Sequence, residues 1–287
     1  NDKKYQESSK CLKLANKLKL NIKKSQPEIR INKSKKLLIE TNKREVNQKI
    51  STNCPQSIFI VGMPRSGSTL IESILSMNNV VYALGEINIL EESFLDQKQI
   101  NQQFTLTDIY WKKISEYTRK FNITTNKWLY NYQYVGIISR EIINAKVIHC
   151  FRNPLDNILS IFRAHFAKGN EYSSSLVDTA KVYLDQDAVM TEYKNKFRSN
   201  IYDLNYDSLV TNPNEEIKSL ISWLDWQWED KYLSPHLNKR SVSTASNVQV
   251  RSPINSKSIG GWKNYKEMLK PSIEIITKND KYRDLKC

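Results

Sequence analysis

Residues 57–75, SIFIVGMPRSGSTLIESIL, decide the fold of this chain. An apolar run at 58–61 predicts a buried strand, and apolar side chains at helical spacing over 70–75 predict a helix. Between them lies a turn of small and hydroxyl-bearing residues, namely Gly62, Pro64, Ser66, Gly67, Ser68 and Thr69. A strand, a glycine-bearing turn and a helix start bring backbone N–H groups and the positive end of the helix dipole to one point. The stretch therefore predicts an anion-binding loop at the end of a strand.

The kind of anion follows from the cation that the turn carries. Residues 62–69 have the spacing of a nucleotide-binding P-loop, but Ser68 stands where the P-loop lysine belongs. The nearest cation is Arg65, whose planar guanidinium suits a bidentate grip on an oxyanion. The loop is thus predicted to bind a phosphate-like group other than the tail of ATP. An ordinary strand–turn–helix junction without a ligand is the alternative.

Length and composition predict one large α/β domain with an appendage. The chain has 287 residues, and its 39% hydrophobic content can fill a core. No apolar run approaches the ~20 residues that a membrane helix needs. The first ten residues hold neither a methionine nor a signal-peptide core, which leaves room for an upstream segment. Scattered cysteines predict reduced thiols and a cytoplasmic location, and the three histidines are too few for a histidine-rich metal site.

Most of the net charge of +14 belongs to the amino-terminal segment. Residues 1–50 carry 15 Lys or Arg and 5 Asp or Glu, a balance of +10. We expect a basic helical segment at 1–52 and the main domain at 53–287. The first helix carries an apolar stripe that should pack on the main domain or on something upstream, made of Cys11, Leu14, Leu18 and Ile22. Because Tyr5 is the sole aromatic residue in 1–50, nucleic-acid binding is not expected.

Glu86 is a candidate general base. A short strand, VVYAL at 80–84, is followed directly by Gly85 and Glu86. Ligands of open parallel sheets sit at the carboxyl ends of the strands, and a carboxylate there can accept the proton of a hydroxyl within hydrogen-bond reach. The alternative is a carboxylate at a helix N-terminus with no catalytic role.

A second signature, AKVIHCFRNPLDNILSIF at 145–162, repeats the strand-to-helix pattern. Residues 147–151 predict a buried strand, and Pro154 predicts the first turn of a helix. Arg152 at the strand end and Ser160 on the helix offer a charged fork and a hydroxyl donor to an anion. His149 lies in mid-strand and is interpreted as a core residue.

The remaining chain alternates between helices and one more strand. Residues 94–120 and 175–196 are predicted to be helical, 200–210 to form a strand, and a helix should follow Pro213. Residues 243–265, STASNVQVRSPINSKSIGGWKNY, are rich in turn formers and hydroxyls, which is typical of a loop folded over a ligand.

In their order and internal spacing, the motifs PRSGSTL, AKVIHCFRNPLDNILSIF and STASNVQVRSPINSKSIGGWKNY resemble those of sulfotransferases that use 3′-phosphoadenosine 5′-phosphosulfate (PAPS). The resemblance covers about residues 55–270 and is strongest to the bacterial tetratricopeptide-linked and tyrosylprotein branch. It implies a doubly wound, P-loop-like α/β domain with a parallel sheet. It also implies transfer of a sulfuryl group from PAPS to a hydroxyl, with release of adenosine 3′,5′-bisphosphate and without a metal.

The resemblance also implies roles for individual residues. Glu86 would deprotonate the acceptor, while Arg65, Lys127 and Ser246 would hold the sulfuryl and bridging oxygens. The nucleotide would be bound by Arg65, Ser66, Gly67, Ser68, Thr69, Arg152, Ser160, Tyr206, Gln249, Val250, Arg251 and Asn255. Upstream helical repeats or a homodimer would be partners of the domain.

Three positions depart from the family pattern. Asn126 precedes Lys127 where relatives have aspartate, and the proline that usually follows is missing. Ala164 stands where tyrosylprotein relatives carry a second cation, with Arg163 one residue earlier. Gly261 replaces the usual Lys or Arg before the tryptophan, so Lys257 or Lys263 would have to supply that charge.

Two other functional classes remain open. A P-loop kinase or NTPase lacks support because the lysine is absent, and a non-catalytic polyanion-binding module is disfavoured by the joint presence of Glu86 and Arg65. The acceptor, whether a tyrosine, a sugar, a lipid or a small alcohol, is not specified by the sequence.

Overall fold

The structure is a computed structural model that describes residues 4–44, 55–99, 104–118, 120, 122–166, 169–238 and 250–286. Five strands and eleven α-helices occur in that part of the chain. In chain order they are α1 (Tyr5–Ile22), α2 (Pro27–Lys43), β1 (Gln56–Gly62), α3 (Ser68–Leu75), β2 (Val81–Ala83), α4 (Ile89–Gln99), α5 (Leu106–Ile114), β3 (Ile123–Asn126), α6 (Val135–Glu141), β4 (Ala145–Phe151), α7 (Pro154–Arg163), α8 (Leu176–Phe197), β5 (Ile201–Asn205), α9 (Tyr206–Thr211), α10 (Pro213–Trp223) and α11 (Lys266–Ile276).

The five strands form one parallel sheet in the order β2-β3-β1-β4-β5. Each neighbouring pair runs parallel, so the carboxyl ends of all five strands lie at one edge of the sheet. The chain builds outward from β1 first towards β2 and β3, and then on the other side towards β4 and β5. The predicted anion loop therefore follows the central strand, at the point where the winding changes direction.

Helices cover both faces of the sheet, as the fold prediction requires. The side chains of β1 alternate between the faces, and all four of its central residues are fully buried. Phe59 and Val61 pack into a core with α4, α5, α6 and α8, whereas Ile58 and Ile60 pack into another with α3 and α10. The expected doubly wound α/β fold is confirmed.

The two amino-terminal helices pack on the main domain through polar contacts and through apolar residues outside the predicted stripe, namely Tyr5, Leu12, Leu37 and Leu38. Buried Asn16 of α1 donates to the Phe162 carbonyl at 2.9 Å, and Gln133 Nε2 donates to the Arg30 carbonyl in α2 at 2.9 Å. The stripe itself faces outward, with Leu14, Leu18 and Ile22 exposed by 60%, 55% and 88%. The alternative in which this stripe packs on the main domain is therefore wrong, because α1 turns Tyr5, Leu12 and Asn16 inward instead. Packing of the stripe on something upstream stays a prediction.

Two predicted element boundaries are also wrong, for reasons of capping. The strand predicted over 200–210 ends at Asn205, because the Asn205 side chain accepts hydrogen bonds from the Asp207 and Ser208 amides and starts α9. The helix predicted over 94–120 is divided between α4 and α5. Thr105 and Asp108 form a capping box that begins α5 anew.

The helices predicted at 175–196 and after Pro213 are confirmed as α8 and α10. Within the part of the chain that the structure describes, no helix is both long enough and apolar enough to cross a membrane.

Candidate active site

The turn after β1 is shaped by a close approach between Gly67 and Tyr206. Gly67 has a φ of 101°, and a Cβ atom on it would lie 2.3 Å from Cδ2 of Tyr206. Glycine is required here both by the left-handed backbone and by the tyrosine ring. Ser66 and Ser68 are buried within the same turn, and α3 starts at Ser68, directed with its N-terminus at the sheet edge. The predicted loop geometry is therefore present.

Arg65 is held inward by the helix that follows β4. Its backbone is also left-handed, with a φ of 66°, which is uncommon for a residue other than glycine. Arg65 Nε donates to Ser160 Oγ at 3.1 Å, and Asn157 of the same helix donates to the Pro64 carbonyl at 2.9 Å. Helix α7 thus fixes the path of the turn and the direction of the guanidinium.

Arg152 projects from the end of β4 and is only 6% exposed. Its Nη2 donates to the Ser258 carbonyl at 2.8 Å, and its guanidinium carbon lies 4.7 Å from the centre of the Tyr206 ring. Asp207 stands 3.8 Å from Arg152 Nε and accepts the Asn153 amide at 2.7 Å. Asn153 in turn caps α7 through its side-chain oxygen. Several contacts therefore fix the strand end and the direction of the Arg152 guanidinium.

These two arginines open into a cavity of about 550 Å³. Its size lies within the usual range for small-molecule sites. Its walls come from the β1 turn, the start of α3, the end of β4, α7, α9 and residues 250–262, which we call the closing segment. The lining residues are Arg65, Gly67, Thr69, Leu70, Arg152, Ser160, Arg163, Tyr206, Val210, Val250, Ser252, Pro253, Ile254, Asn255, Lys257 and Ser258. The lining is cationic, and no Asp or Glu contributes to it among the described residues.

The electrostatics of the cavity suit an anion. Burial, together with the nearby charge of Arg152, lowers the pKa of Arg65 from its ordinary value. The Ser66 hydroxyl and Arg152 Nε are both buried and make no hydrogen bond to any described residue. Buried donors of this kind are expected to have partners in a native protein. Arg152 lines the cavity and would gain such a partner from an anion bound there, whereas Ser66 does not line it. The four cationic side chains of the lining, with no carboxylate among the described lining residues, fit an anionic nucleotide.

The closing segment is held over the cavity by Tyr206 and by two residues that the sequence analysis did not single out, Asp156 and Ser258. Asp156 of α7 accepts the amides of Gly260 at 2.7 Å and Trp262 at 2.9 Å. The Tyr206 hydroxyl and Ser258 Oγ lie 3.0 Å apart. Asp156 is a buried carboxylate in the first turn of α7, next to the apolar residues Leu155 and Ile158, and an acidic residue at that position is visible in the sequence.

The charge missing at Gly261 has one candidate substitute in the cavity. Lys257 lines the cavity, whereas Lys263 is exposed and is not part of its wall. Arg163 also lines the cavity, where it stacks over the Tyr265 ring with 4.3 Å between guanidinium carbon and ring centre.

Glu86 and Lys127 form a second cluster at the same sheet edge. Glu86 follows β2 and Lys127 follows β3, the neighbouring strand. Lys127 Nζ donates to Glu86 Oε1 at 2.5 Å, with the lysine 1% exposed and the glutamate side chain 43% exposed. A buried ammonium with an accessible carboxylate partner places a charged pair at the surface of the crevice. Neither residue lines the cavity that holds the two arginines.

The other predicted site residues fall into four groups. Ser66 and Ser68 are buried in the β1 turn and do not line the cavity. Arg65, Gly67, Thr69, Arg152, Ser160, Tyr206, Val250 and Asn255 line the cavity. Arg251 instead donates to the Asn238 carbonyl. Ser246 and Gln249 lie outside the described residues.

The histidines stand apart from this site. His149 is buried in β4, where its Nδ1 donates to Asp203 at 3.2 Å and its Nε2 accepts from Gln186 at 2.7 Å. Burial lowers its pKa, which keeps the ring neutral in this arrangement. Among the described residues no group of three His, Cys, Asp or Glu side chains is placed to hold a metal ion.

Comparison with known proteins identifies the family. The model of the sulfotransferase family matches residues 55–230, which is more than half of the chain. The chain therefore belongs to the sulfotransferase family. The match includes the β1 turn, the Glu86–Lys127 pair and Arg152, and it ends before the closing segment.

Two relatives and two solved structures illustrate the similarity. An uncharacterised protein of Aquifex aeolicus (strain VF5) is 31% identical over 245 residues, covering 76% of this chain but 32% of its own length. The chain thus spans about a third of that relative. A Caenorhabditis briggsae protein, provisionally named a protein-tyrosine sulfotransferase, is 24% identical over 243 residues, with 74% of this chain and 82% of that protein covered.

The solved structures share the fold. The sulfotransferase domain of the curacin biosynthetic pathway has a TM-score of 0.56 and 16% identity, with 78% of this chain and 97% of that one covered. The sulfotransferase domain of the Synechococcus PCC 7002 olefin synthase has a TM-score of 0.57 and 17% identity, with 82% and 98% covered.

Proposed function

We propose that this protein transfers a sulfuryl group from PAPS to the hydroxyl of an acceptor. The observation that carries the proposal is the convergence of Arg65, Arg152 and the β1 turn on one cationic cavity, beside the Glu86–Lys127 pair. Membership of the sulfotransferase family supports the same reaction. PAPS would supply an activated sulfuryl group and leave as adenosine 3′,5′-bisphosphate.

The donor side would be held by charge and by backbone amides. Arg152 and Ser160 are assigned to the 3′-phosphate, and the β1 turn with the N-terminus of α3 to the 5′-phosphosulfate. The Tyr206 ring beneath Arg152 is assigned to the adenosine. Arg65 lies between the two anionic ends, since its Nε reaches Ser160 while its backbone belongs to the turn.

The acceptor side would be served by the ion pair. The oxygen of the acceptor hydroxyl bonds to sulfur while the bond from sulfur to the 5′-phosphate oxygen breaks. Glu86 takes the proton that the hydroxyl loses in this step. Proton uptake neutralises the carboxylate and weakens its hold on Lys127. The Lys127 ammonium then turns to the negative charge that develops on the bridging oxygen and stabilises the transition state. Ser246 is assigned to the sulfuryl oxygens.

A nucleotide kinase or NTPase is less consistent with the site. Ser68 occupies the position of the P-loop lysine, which would have to reach the β- and γ-phosphates of ATP. A thermal-shift comparison separates the two classes. Adenosine 3′,5′-bisphosphate should raise the midpoint with or without Mg²⁺, while ATP should raise it little. A larger, Mg²⁺-dependent shift with ATP would favour the kinase class.

The proposed base is tested by Glu86→Gln, which keeps the size of the side chain but cannot accept the proton. General-base catalysis contributes roughly 10²–10⁴-fold, so turnover should fall by about that factor. Bisphosphate affinity, measured by calorimetry, should barely change because Glu86 does not line the nucleotide cavity. Phenols, sugars and tyrosine peptides form the acceptor panel.

Glu92→Gln is the matched control, because Glu92 lies on α4 six residues away and faces solvent. It should leave turnover and affinity unchanged. Normal turnover in Glu86→Gln would remove Glu86 from the mechanism. A joint collapse of affinity and turnover would make it a structural residue instead.

A further inference from the structure

Glu72 is a buried carboxylate in the middle of a helix that contributes three residues to an apolar core. It lies in α3, the helix that begins at the anion-binding turn, and it is 1% exposed. Its neighbours Ile71, Ile74 and Leu75 are core residues, so an apolar side chain at position 72 would suit the same surroundings. Burying a carboxylate costs free energy unless hydrogen bonds offset the lost hydration. The hydrogen bonds of Glu72 must therefore offset the free-energy cost of its burial.

The partners of Glu72 lie on the acceptor side of the sheet. Glu72 Oε1 accepts the Gly85 amide at 3.1 Å and the Thr125 hydroxyl at 3.0 Å. Thr125 is in β3, two residues before Lys127, and Gly85 directly precedes Glu86. One oxygen thus touches the backbone beside the proposed base and the strand that carries its lysine partner.

The turn at Gly85 needs such support because its backbone is unusual. Gly85 has a φ of 73°, in the left-handed region that glycine tolerates. On either side the chain is tied to β3, since the Leu84 amide donates to the Thr125 carbonyl at 2.9 Å and the Lys127 amide donates to the Gly85 carbonyl at 2.8 Å. The Gly85 amide itself points away from β3 and donates to the Glu72 carboxylate. Without that acceptor its direction would be left open.

We propose that Glu72 is a positioning residue that fixes the Glu86 carboxylate relative to the anion-binding turn. The proposal rests on the proposed role of Glu86 as base. Helix α3 begins at the anion-binding turn and, about one turn later, presents Glu72 to the turn at Gly85 and Glu86. Donor and base are thereby joined through one rigid element. A misplacement of the base by about 1 Å can lower the rate by about 10²-fold. Correct placement of Glu86 can therefore outweigh the free energy that is lost by burying the Glu72 carboxylate.

The test compares Glu72→Leu with Glu72→Gln. Leucine removes the acceptor of the Gly85 amide, whereas glutamine keeps a carboxamide oxygen at the same place. Glu141→Leu is the matched control, because Glu141 is a nearly buried glutamate at the opposite edge of the sheet, bonded to Arg44 and Gln97. Each variant is assayed for turnover on the best acceptor of the panel, for bisphosphate binding by calorimetry, and for amide exchange in peptides covering residues 81–88.

In Glu72→Leu we expect turnover to fall about tenfold to a hundredfold. Exchange of the amides at 85–86 should accelerate at least about tenfold, since a protecting hydrogen bond is lost. Bisphosphate affinity should stay within about twofold because Glu72 and its partners Gly85 and Thr125 are not part of the cavity wall. Glu72→Gln should restore turnover, and Glu141→Leu should leave turnover and exchange at 85–86 unchanged.

Several results would overturn the proposal. Unchanged exchange at 85–86 in Glu72→Leu would show that the bond does not hold the turn. Equal losses of turnover in Glu72→Leu and Glu141→Leu, or a parallel loss of bisphosphate binding, would reduce Glu72 to a general stability residue. Normal turnover in Glu86→Gln together with faster exchange in Glu72→Leu would retain the link but refute the base, so the two failures are distinguishable.

Discussion

The sharpest expectation concerns Arg152 and the nucleotide's 3′-phosphate. Arg152→Gln removes the charge and the fork but keeps a polar side chain. A hydrogen bond to a charged group contributes about 1.5–3 kcal/mol. Since each 1.4 kcal/mol is about a factor of ten in affinity, loss of the phosphate contact should weaken binding by about tenfold to a hundredfold.

The assay is calorimetric titration with two ligands, adenosine 3′,5′-bisphosphate and AMP. The wild-type protein should prefer the bisphosphate by about tenfold or more, because AMP lacks the phosphate that Arg152 would hold. In Arg152→Gln this preference should largely vanish, while the affinity for AMP changes much less. Arg198→Gln is the control, since Arg198 is exposed and pairs with Asp203 away from the cavity.

Arg152 has a second role that the two ligands separate. Its Nη2 anchors the Ser258 carbonyl of the closing segment, and that contact should affect both ligands alike. Equal losses for bisphosphate and AMP in Arg152→Gln would therefore refute the 3′-phosphate assignment and leave only the anchoring role. A wild-type protein that binds AMP as tightly as the bisphosphate would refute it outright.

Two further predictions concern stability. Deleting residues 1–44 removes the buried contacts of Asn16 and Arg30 but no residue of the cavity wall, so the thermal midpoint should drop by about 5 °C or more while bisphosphate affinity is retained; loss of binding in a still-folded truncated protein would contradict this. Burial lowers the pKa of His149 below its ordinary 6.5, so the unfolded chain takes up a proton that the folded protein does not. The free energy of unfolding should therefore fall as the pH drops below about 6.5, and His149→Leu should flatten that slope in urea titrations at pH 5–8. An unchanged slope would mean that other groups dominate.

Local signals in the sequence were sufficient for the fold and for the donor loop. The apolar run at 58–61, the turn with Gly67 and the helix start at Ser68 follow from periodicity and backbone preference within a few residues. The N-cap residues are also local signals, but the boundaries predicted for the strand at 200–210 and the helix at 94–120 did not take them into account. Asn205 ended β5 early and Thr105 restarted a helix, although both are common N-cap residues.

Tertiary structure alone decided which of these local pieces meet. Asp156 binds amides 104 and 106 residues away, and Glu72 reaches Thr125 across 53 residues. The outward direction of the Leu14 and Leu18 stripe likewise follows from the packing of the other face of α1, where Tyr5 and Leu12 join an apolar core and Asn16 donates to the Phe162 carbonyl, 146 residues away. Periodicity records which side of an element is apolar, but not which distant group will satisfy a buried polar atom. That choice is made by packing, because an unpaired buried donor or acceptor costs more than an exposed leucine.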